Sequence, residues 1–233
     1  MFVTQIRVDA EVTGYAAQLP VTQHLKHMGG LQLRAPVTVI VGDNGAGKST
    51  LLEAIAVAMN INPEGGTKAL MNFNYAETES QLGKALTISR AKNPPRSAFL
   101  RAETFFNFAT EFRRNAAVDP MLHERSHGEG VLKFLDSLWK KPHFMLFDEP
   151  EAGLSAIAQM ALLGKIYHAA EAGSQFIIAT HSAILPAIPG ADIVCISENG
   201  IDNVTYEECE SVAATKEFLN NPHETAKFIC FPD

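Results

Sequence analysis

Short apolar runs rich in β-branched and aromatic side chains punctuate the chain, and the stretches between them repeat their apolar positions every three or four residues. Val37-Thr-Val-Ile-Val41 predicts a buried strand, which runs into a glycine-rich turn and then into Ser49 to Met59, where the apolar spacing is helical. Further strands are predicted at Ala98 to Ala102, Phe144 to Phe147 and Phe176 to Ala179. Between the last two, Ala156 to Ala172 reads as a helix that ends near Gly173. Strand, helix, strand in that order predicts an α/β fold, with a mainly parallel central sheet flanked by helices. Asp192 to Ser197 and Ile201 to Tyr206 predict a closing hairpin turning at Asn199-Gly200, which adds an antiparallel β part. Ser211 to Cys230 predicts a terminal helical region, with no role to be read there beyond packing.

Composition narrows the class. The chain has 233 residues, 46% hydrophobic and 19% charged, enough to close one sizeable core, so one domain over residues 1–233 is expected. No apolar stretch approaches the roughly 20 residues a bilayer demands, which argues against membrane insertion. The first residues lack a charged-then-apolar leader, so a cytoplasmic location is expected. Cys195, Cys209 and Cys230 have no metal-ligand spacing and read as reduced, structural thiols. The net charge of -7 disfavours wholesale coating of nucleic acid. Between Lys84 and Arg125, however, eight basic residues face four acidic ones, which reads as a solvated face and phosphate-pocket support, or as a surface for a nucleic acid or an acidic partner.

The chemistry is concentrated in three places. Gly42-Asp-Asn44-Gly45-Ala46-Gly47-Lys48-Ser49, followed by Thr50, matches the phosphate-binding loop G-x-x-x-x-G-K-[ST] and lies between a buried strand and a helix, as that mechanism requires. This predicts the P-loop NTPase fold. Glycines let backbone N–H groups face the phosphates, Lys48 is expected to bridge the β- and γ-phosphates, and Ser49 to offer its hydroxyl to Mg²⁺. Phe144-Met-Leu-Phe-Asp148-Glu149-Pro150 delivers two carboxylates at a strand's C-terminal edge, Asp148 expected to hold Mg²⁺ and Glu149 to orient and polarise the attacking water. His181, directly after Phe176-Ile-Ile-Ala-Thr180, reads as a γ-phosphate sensor given the two motifs before it.

In this order the motifs make the sequence resemble, over most of its length, an ABC-type ATPase of the non-transporter kind, akin to chromosome-maintenance and recombination-repair heads and to small AAA-family ATPases. The resemblance implies a signature loop at Arg125-Ser126-His127-Gly128-Glu129-Gly130, within a short helical lobe at about 104–140, where Ser126 and Gly128 cap the γ-phosphate bound by a second copy. His127 and Glu129 replace the usual Gly and Gln. It also implies a dimer-contact loop at Glu151-Ala-Gly-Leu-Ser155, with Ser155 where transporter-type members usually carry Asp. The Gln that such proteins offer to Mg²⁺ is missing, since none occurs between Gln81 and Gln159, and Glu103 or Asn107 is the substitute.

Spacing separates the relatives. Lys48 to Ser126 spans 78 residues, too few for a long coiled-coil arm, and Glu103 to Ser126 spans 23, little for the lobe that grips a membrane partner. Phe2 and Tyr15 are possible stacking partners for the base, and Phe105, Phe106 and Phe108 read as core packing or a partner surface. The expected function is Mg²⁺-dependent hydrolysis of ATP by an ATP-dependent homodimer. The alternatives are the nucleotide-binding subunit of a transporter and an ATP-gated module that binds nucleic acid or protein.

Overall fold

The computed structural model describes residues 1–67, 81–101 and 142–231. Within them the strands are β1 (Val3–Val8), β2 (Leu31–Gln32), β3 (Val37–Gly42), β4 (Gly66–Thr67), β5 (Leu86–Arg90), β6 (Ser97–Arg101), β7 (Phe144–Asp148), β8 (Gln175–Ala179), β9 (Asp192–Ile196) and β10 (Ile201–Asn203). The helices are α1 (Tyr15–Gln18), α2 (Pro20–His27), α3 (Lys48–Ala58), α4 (Gln81–Ala85), α5 (Ala156–Glu171), α6 (Glu210–Asn220) and α7 (Pro222–Cys230).

Seven strands form one sheet in the order β10-β9-β3-β8-β7-β6-β4. The five strands from β9 to β6 run parallel, and β10 and β4 close the edges antiparallel. Side chains alternate across this sheet with the period of two that a strand imposes. Ile40, Phe99, Phe144, Leu146, Ile177 and Ala179 face one core. Val37, Val39, Val41, Ala98, Leu100, Met145, Phe147, Phe176 and Ile178 face the other. With both faces buried, the parallel strands read as continuous apolar runs, which is why they were visible in the sequence. On the second face α5 buries Leu162, Ile166 and Ala169, and α6 contributes Val212.

On the first face lies α3. Its residues Leu51, Leu52, Ala54, Ile55 and Ala56 are all buried, because the helix touches β7 and β8 of the large sheet on one side and β5 on the other. β5 belongs to a second, three-stranded antiparallel sheet, β2-β1-β5. The antiparallel part is therefore larger than the predicted hairpin, and β1, β2 and β5 carry no run distinct enough to have announced them. A buried amide joins the two sheets. Gln175, at the start of β8, accepts the N–H groups of Phe2 and Val3 at 2.6 and 2.9 Å and donates to the Val3 carbonyl at 2.7 Å.

The C-terminal region differs from expectation. Pro222 cannot continue the helix before it, so the segment divides into α6 and α7. No residue of α7 is buried, and Phe228 and Ile229 stand 75% and 64% exposed, so packing is not its role within the described chain. All three cysteines are free thiols. Among the described residues no helix is long and apolar enough to cross a membrane.

Candidate active site

Three neighbouring parallel strands bring their C-terminal ends to one edge of the sheet, each with a different chemical group. β3 ends in the loop Gly42 to Gly47, β8 ends before His181, and β7 ends in Asp148 and Glu149. Asp148 and Ser49 lie 99 residues apart in sequence, yet the Ser49 hydroxyl donates to Asp148 Oδ1 at 2.9 Å. A hydroxyl and a carboxylate side by side are hard oxygen donors of the kind that suit Mg²⁺, which keeps several water ligands and shares phosphate oxygens. The residues present therefore fit that ion.

Lys48 opens α3 and is buried, and its ammonium donates to the Gly42 and Asp43 carbonyls at 2.7 and 2.8 Å. Burial pulls its pKa below the ordinary lysine range, against the pull of the Glu149, Asp43 and Asp148 carboxylates around it. A cation held dry beside three anionic groups and the free N–H groups of a helix start is a ready site for a polyphosphate. The loop glycines answer to neighbouring elements as well. At Gly42, φ +130°, a side chain would fall on the Ile196 carbonyl of β9, and at Gly47, φ +95°, a Cβ would lie 2.5 Å from Val21 Cγ1 of α2. Ala46 is buried, and its carbonyl accepts the Val21 N–H at 3.2 Å. Asn44 and Gly45 are exposed on the rim of the loop, while Thr50 is half-buried in the first turn of α3.

Glu149 takes φ +49°, a left-handed backbone that an L side chain enters at a cost, while its N–H donates to the Ala179 carbonyl at 2.9 Å. The turn aims its carboxylate out of the sheet, half exposed, with Oε1 3.8 Å from His181 Nε2. A carboxylate and an imidazole paired at the mouth of a phosphate loop can order a water and pass a proton.

Several participants carried no signal in the spacing. Arg101, at the end of β6, sets its Nε 3.7 Å from Asp148 Oδ2 and its Nη1 3.8 Å from Glu53 Oε2, so one charge of the basic stretch Lys84 to Arg125 turns inward to the site. Glu151 Oε1 accepts the N–H groups of His181 and Ser182. Ser155 caps α5, its hydroxyl accepting the Ala158 N–H at 3.2 Å, a task that suits Ser as well as Asp. Phe2 is buried at 2% exposure with Lys92 Nζ 5.1 Å from its ring centre, so it is not open to stack on a base; Tyr15 is 72% exposed. Glu103, Asn107, the three phenylalanines at 105, 106 and 108, Ser126, Gly128 and the lobe at 104–140 lie outside the described residues.

Parts of the chain are similar to known families and proteins. Residues 25–94 match a family model described as an AAA domain, and residues 84–185 match one described as "AAA domain, putative AbiEii toxin, Type IV TA system". The chain is 26% identical over 172 residues to ABC transporter G family member 15 of Dictyostelium discoideum, covering 62% of this chain and 12% of that protein. It is 25% identical over 213 residues to the zinc import ATP-binding protein ZnuC of Alkalilimnicola ehrlichii, covering 84% of this chain and 77% of that one. Among solved structures, an ATP-binding cassette of an ABC transporter aligns with TM-score 0.48 and 15% identity, over 94% of this chain and 98% of the other. The SMC head domain of Thermotoga maritima aligns with TM-score 0.46 and 16% identity, over 76% and 92%. The two AAA-domain matches together run from residue 25 to 185, the stretch that holds the glycine-rich loop, the Asp148-Glu149 strand end and His181.

Proposed function

We propose that this protein is an Mg²⁺-dependent ATPase in which two copies close around two nucleotides, hydrolyse ATP to ADP and phosphate, and reopen. The observation that carries the reading is the meeting of Ser49 and Asp148 at 2.9 Å beside the buried Lys48 ammonium, with Glu149 at the same strand end. Bound Mg²⁺ supplies charge neutralisation and a fixed geometry for the phosphate oxygens. Ser49 and Asp148 would hold that ion, and Glu103 is the candidate for a further oxygen. Lys48 and the N–H groups of residues 44–50 seat the phosphates. Glu149 orients the attacking water and polarises it, and His181 contacts the γ-phosphate edge from β8. Ser126 and Gly128 complete the site of the opposite copy.

Among the described residues this edge stays open, with Glu149 and His181 both about half exposed, and the proposed chemistry requires it to be covered. A second subunit fits that requirement, because water must be kept from the phosphate while the chemistry proceeds. Light scattering on the Glu149→Gln protein tests the reading. We expect a dimer with Mg²⁺-ATP, a monomer without it, and no dimer when Ser126→Arg is added. A protein that binds Mg²⁺-ATP and stays monomeric overturns the two-copy mechanism, and one whose phosphate release is unchanged by Glu149→Gln overturns the role of Glu149. A transporter subunit is the second reading, favoured by the 84% of the chain that aligns with the zinc import ATP-binding protein. Recovery of the protein with membranes on cell fractionation supports it, and recovery in the cytoplasmic fraction supports the first.

A further inference from the structure

The Glu151 carboxylate joins the turn after Glu149 to the loop that carries His181. Glu151 Oε1 accepts the His181 N–H at 2.7 Å and the Ser182 N–H at 3.1 Å, and Glu151 Oε2 is buried without a hydrogen-bond partner among the described residues. All the hydrogen bonds this carboxylate makes there go to one short stretch of backbone. Both donors are N–H groups and both reach Oε1, so one acceptor oxygen is the chemistry the place demands, and an ionised one makes the stronger bond.

A second bridge runs alongside. The Ser182 hydroxyl donates to Gln159 Oε1 at 2.7 Å, and Gln159 Nε2 donates to the Leu154 carbonyl at 3.2 Å. The same hydroxyl accepts the N–H groups of Ile184 and Leu185 at 2.9 and 3.2 Å, which sets the turn after His181. Residues 151–159 and 181–185 are thus stitched together by side chains from both ends. His181 itself is exposed, with its Nε2 3.8 Å from Glu149 Oε1 and no side-chain hydrogen bond among the described residues, so its position depends on how its backbone is held.

We propose that Glu151 is a positioning residue for His181: it ties the segment that follows the catalytic carboxylate to the histidine loop, so that displacement of 151–155 is carried directly to the imidazole. This rests on the ATPase reading for its consequence in turnover, though not for its consequence in backbone protection. If residues 151–155 meet a second subunit, the device reports closure of the pair to the γ-phosphate side of the site.

Hydrogen exchange and turnover together test it, on the full chain. In Glu151→Ala the amide of His181 should exchange about tenfold to a hundredfold faster, and that of Ser182, which also donates to Thr180 Oγ1 at 3.0 Å, by less, while those of β8 stay protected. In Glu151→Gln the side-chain carbonyl still accepts both N–H groups, and protection should largely return. With turnover, Glu151→Ala should lower kcat by about tenfold to a hundredfold, the scale of a displaced catalytic group, with binding of a fluorescent ATP analogue unchanged and Glu151→Gln recovering most of the loss. Adding His181→Ala to Glu151→Ala should cost little more than either alone, because both act through one imidazole. Unchanged exchange at residues 181 and 182 in Glu151→Ala overturns the proposal, and so do multiplicative losses in the double variant. A wild-type protein that hydrolyses no ATP overturns the ATPase reading instead, and the exchange result still decides the role of Glu151.

Discussion

Lys48 shows how a single residue is kept for its charge and not for stability. Its ammonium is buried, and the cost of drying it pulls its pKa down, more than the nearby carboxylates pull it up. The sign follows from linkage. Below its lowered folded value the lysine is charged in both states and the folded protein bears the cost. As pH climbs from that value toward the 10.5 of a free lysine, the folded state sheds its proton first and stability rises. Lys48→Met should therefore leave stability at neutral pH within about 1 kcal/mol of wild type, despite two lost hydrogen bonds, and should flatten the alkaline rise. Denaturant unfolding across pH checks this, and a fluorescent nucleotide titration should show that binding is lost. Gly42 makes a complementary point. The phosphate-loop motif asks for glycine there, and this fold asks again, because β9 passes its Ile196 carbonyl through the space a side chain would take.

At the scale of elements, the phosphate-loop helix is clamped between two sheets that share few covalent reasons to lie together. β1 starts where the chain starts, and β8 lies some 170 residues on, yet Gln175 satisfies two N–H groups and one carbonyl at the start of β1. Each is a buried backbone group that would otherwise be unpaired. Gln175→Leu should cost about 3 kcal/mol or more, since it strands three such groups at once. Urea unfolding measures the loss, and hydrogen exchange should show β1 opening before the large sheet. A drop in nucleotide affinity should follow, because α3 loses the support of the small sheet along one face. A cost below about 1 kcal/mol would mean that water replaces the amide there.

For the whole molecule, the sheet edge and the C-terminal helices behave as separate parts. The parallel strands carry their chemistry-bearing ends at the edge of a two-sided core, whereas α7 buries nothing and exposes Phe228, Ile229 and the following Phe231. A chain ending at Asn221 should thus unfold within about 1 kcal/mol of the full chain, with ATP-dependent dimerisation intact. Calorimetry and light scattering decide it. A large loss of stability would place α7 against the rest of the protein, and a loss of the dimer alone would place it at the interface. The nucleotide-dependent pairing proposed for the Glu149→Gln protein belongs to this scale too, since it concerns two whole chains.

The sequence by itself determined the parallel sheet, because strands buried on both faces must be apolar at nearly every position and stand out as unbroken runs. It also singled out the candidates for phosphate chemistry, because Gly42 to Ser49 and Asp148-Glu149 are short motifs with their chemistry in the residue types themselves. What only the tertiary structure decided lies in contacts between distant segments. The half-exposed strands β1 and β5 acquire their identity from pairing with each other. Gln175 is a neutral polar residue until the N-terminal strand arrives above it, and Arg101 is one more surface charge until β6 lies beside β7. Glu151 was legible only as the start of a dimer-contact loop, because a carboxylate two places after Glu149 says nothing of His181 until the turn folds it under the His181 backbone. Long-range hydrogen bonds leave no period and no spacing in a sequence, since either partner alone is an ordinary polar residue.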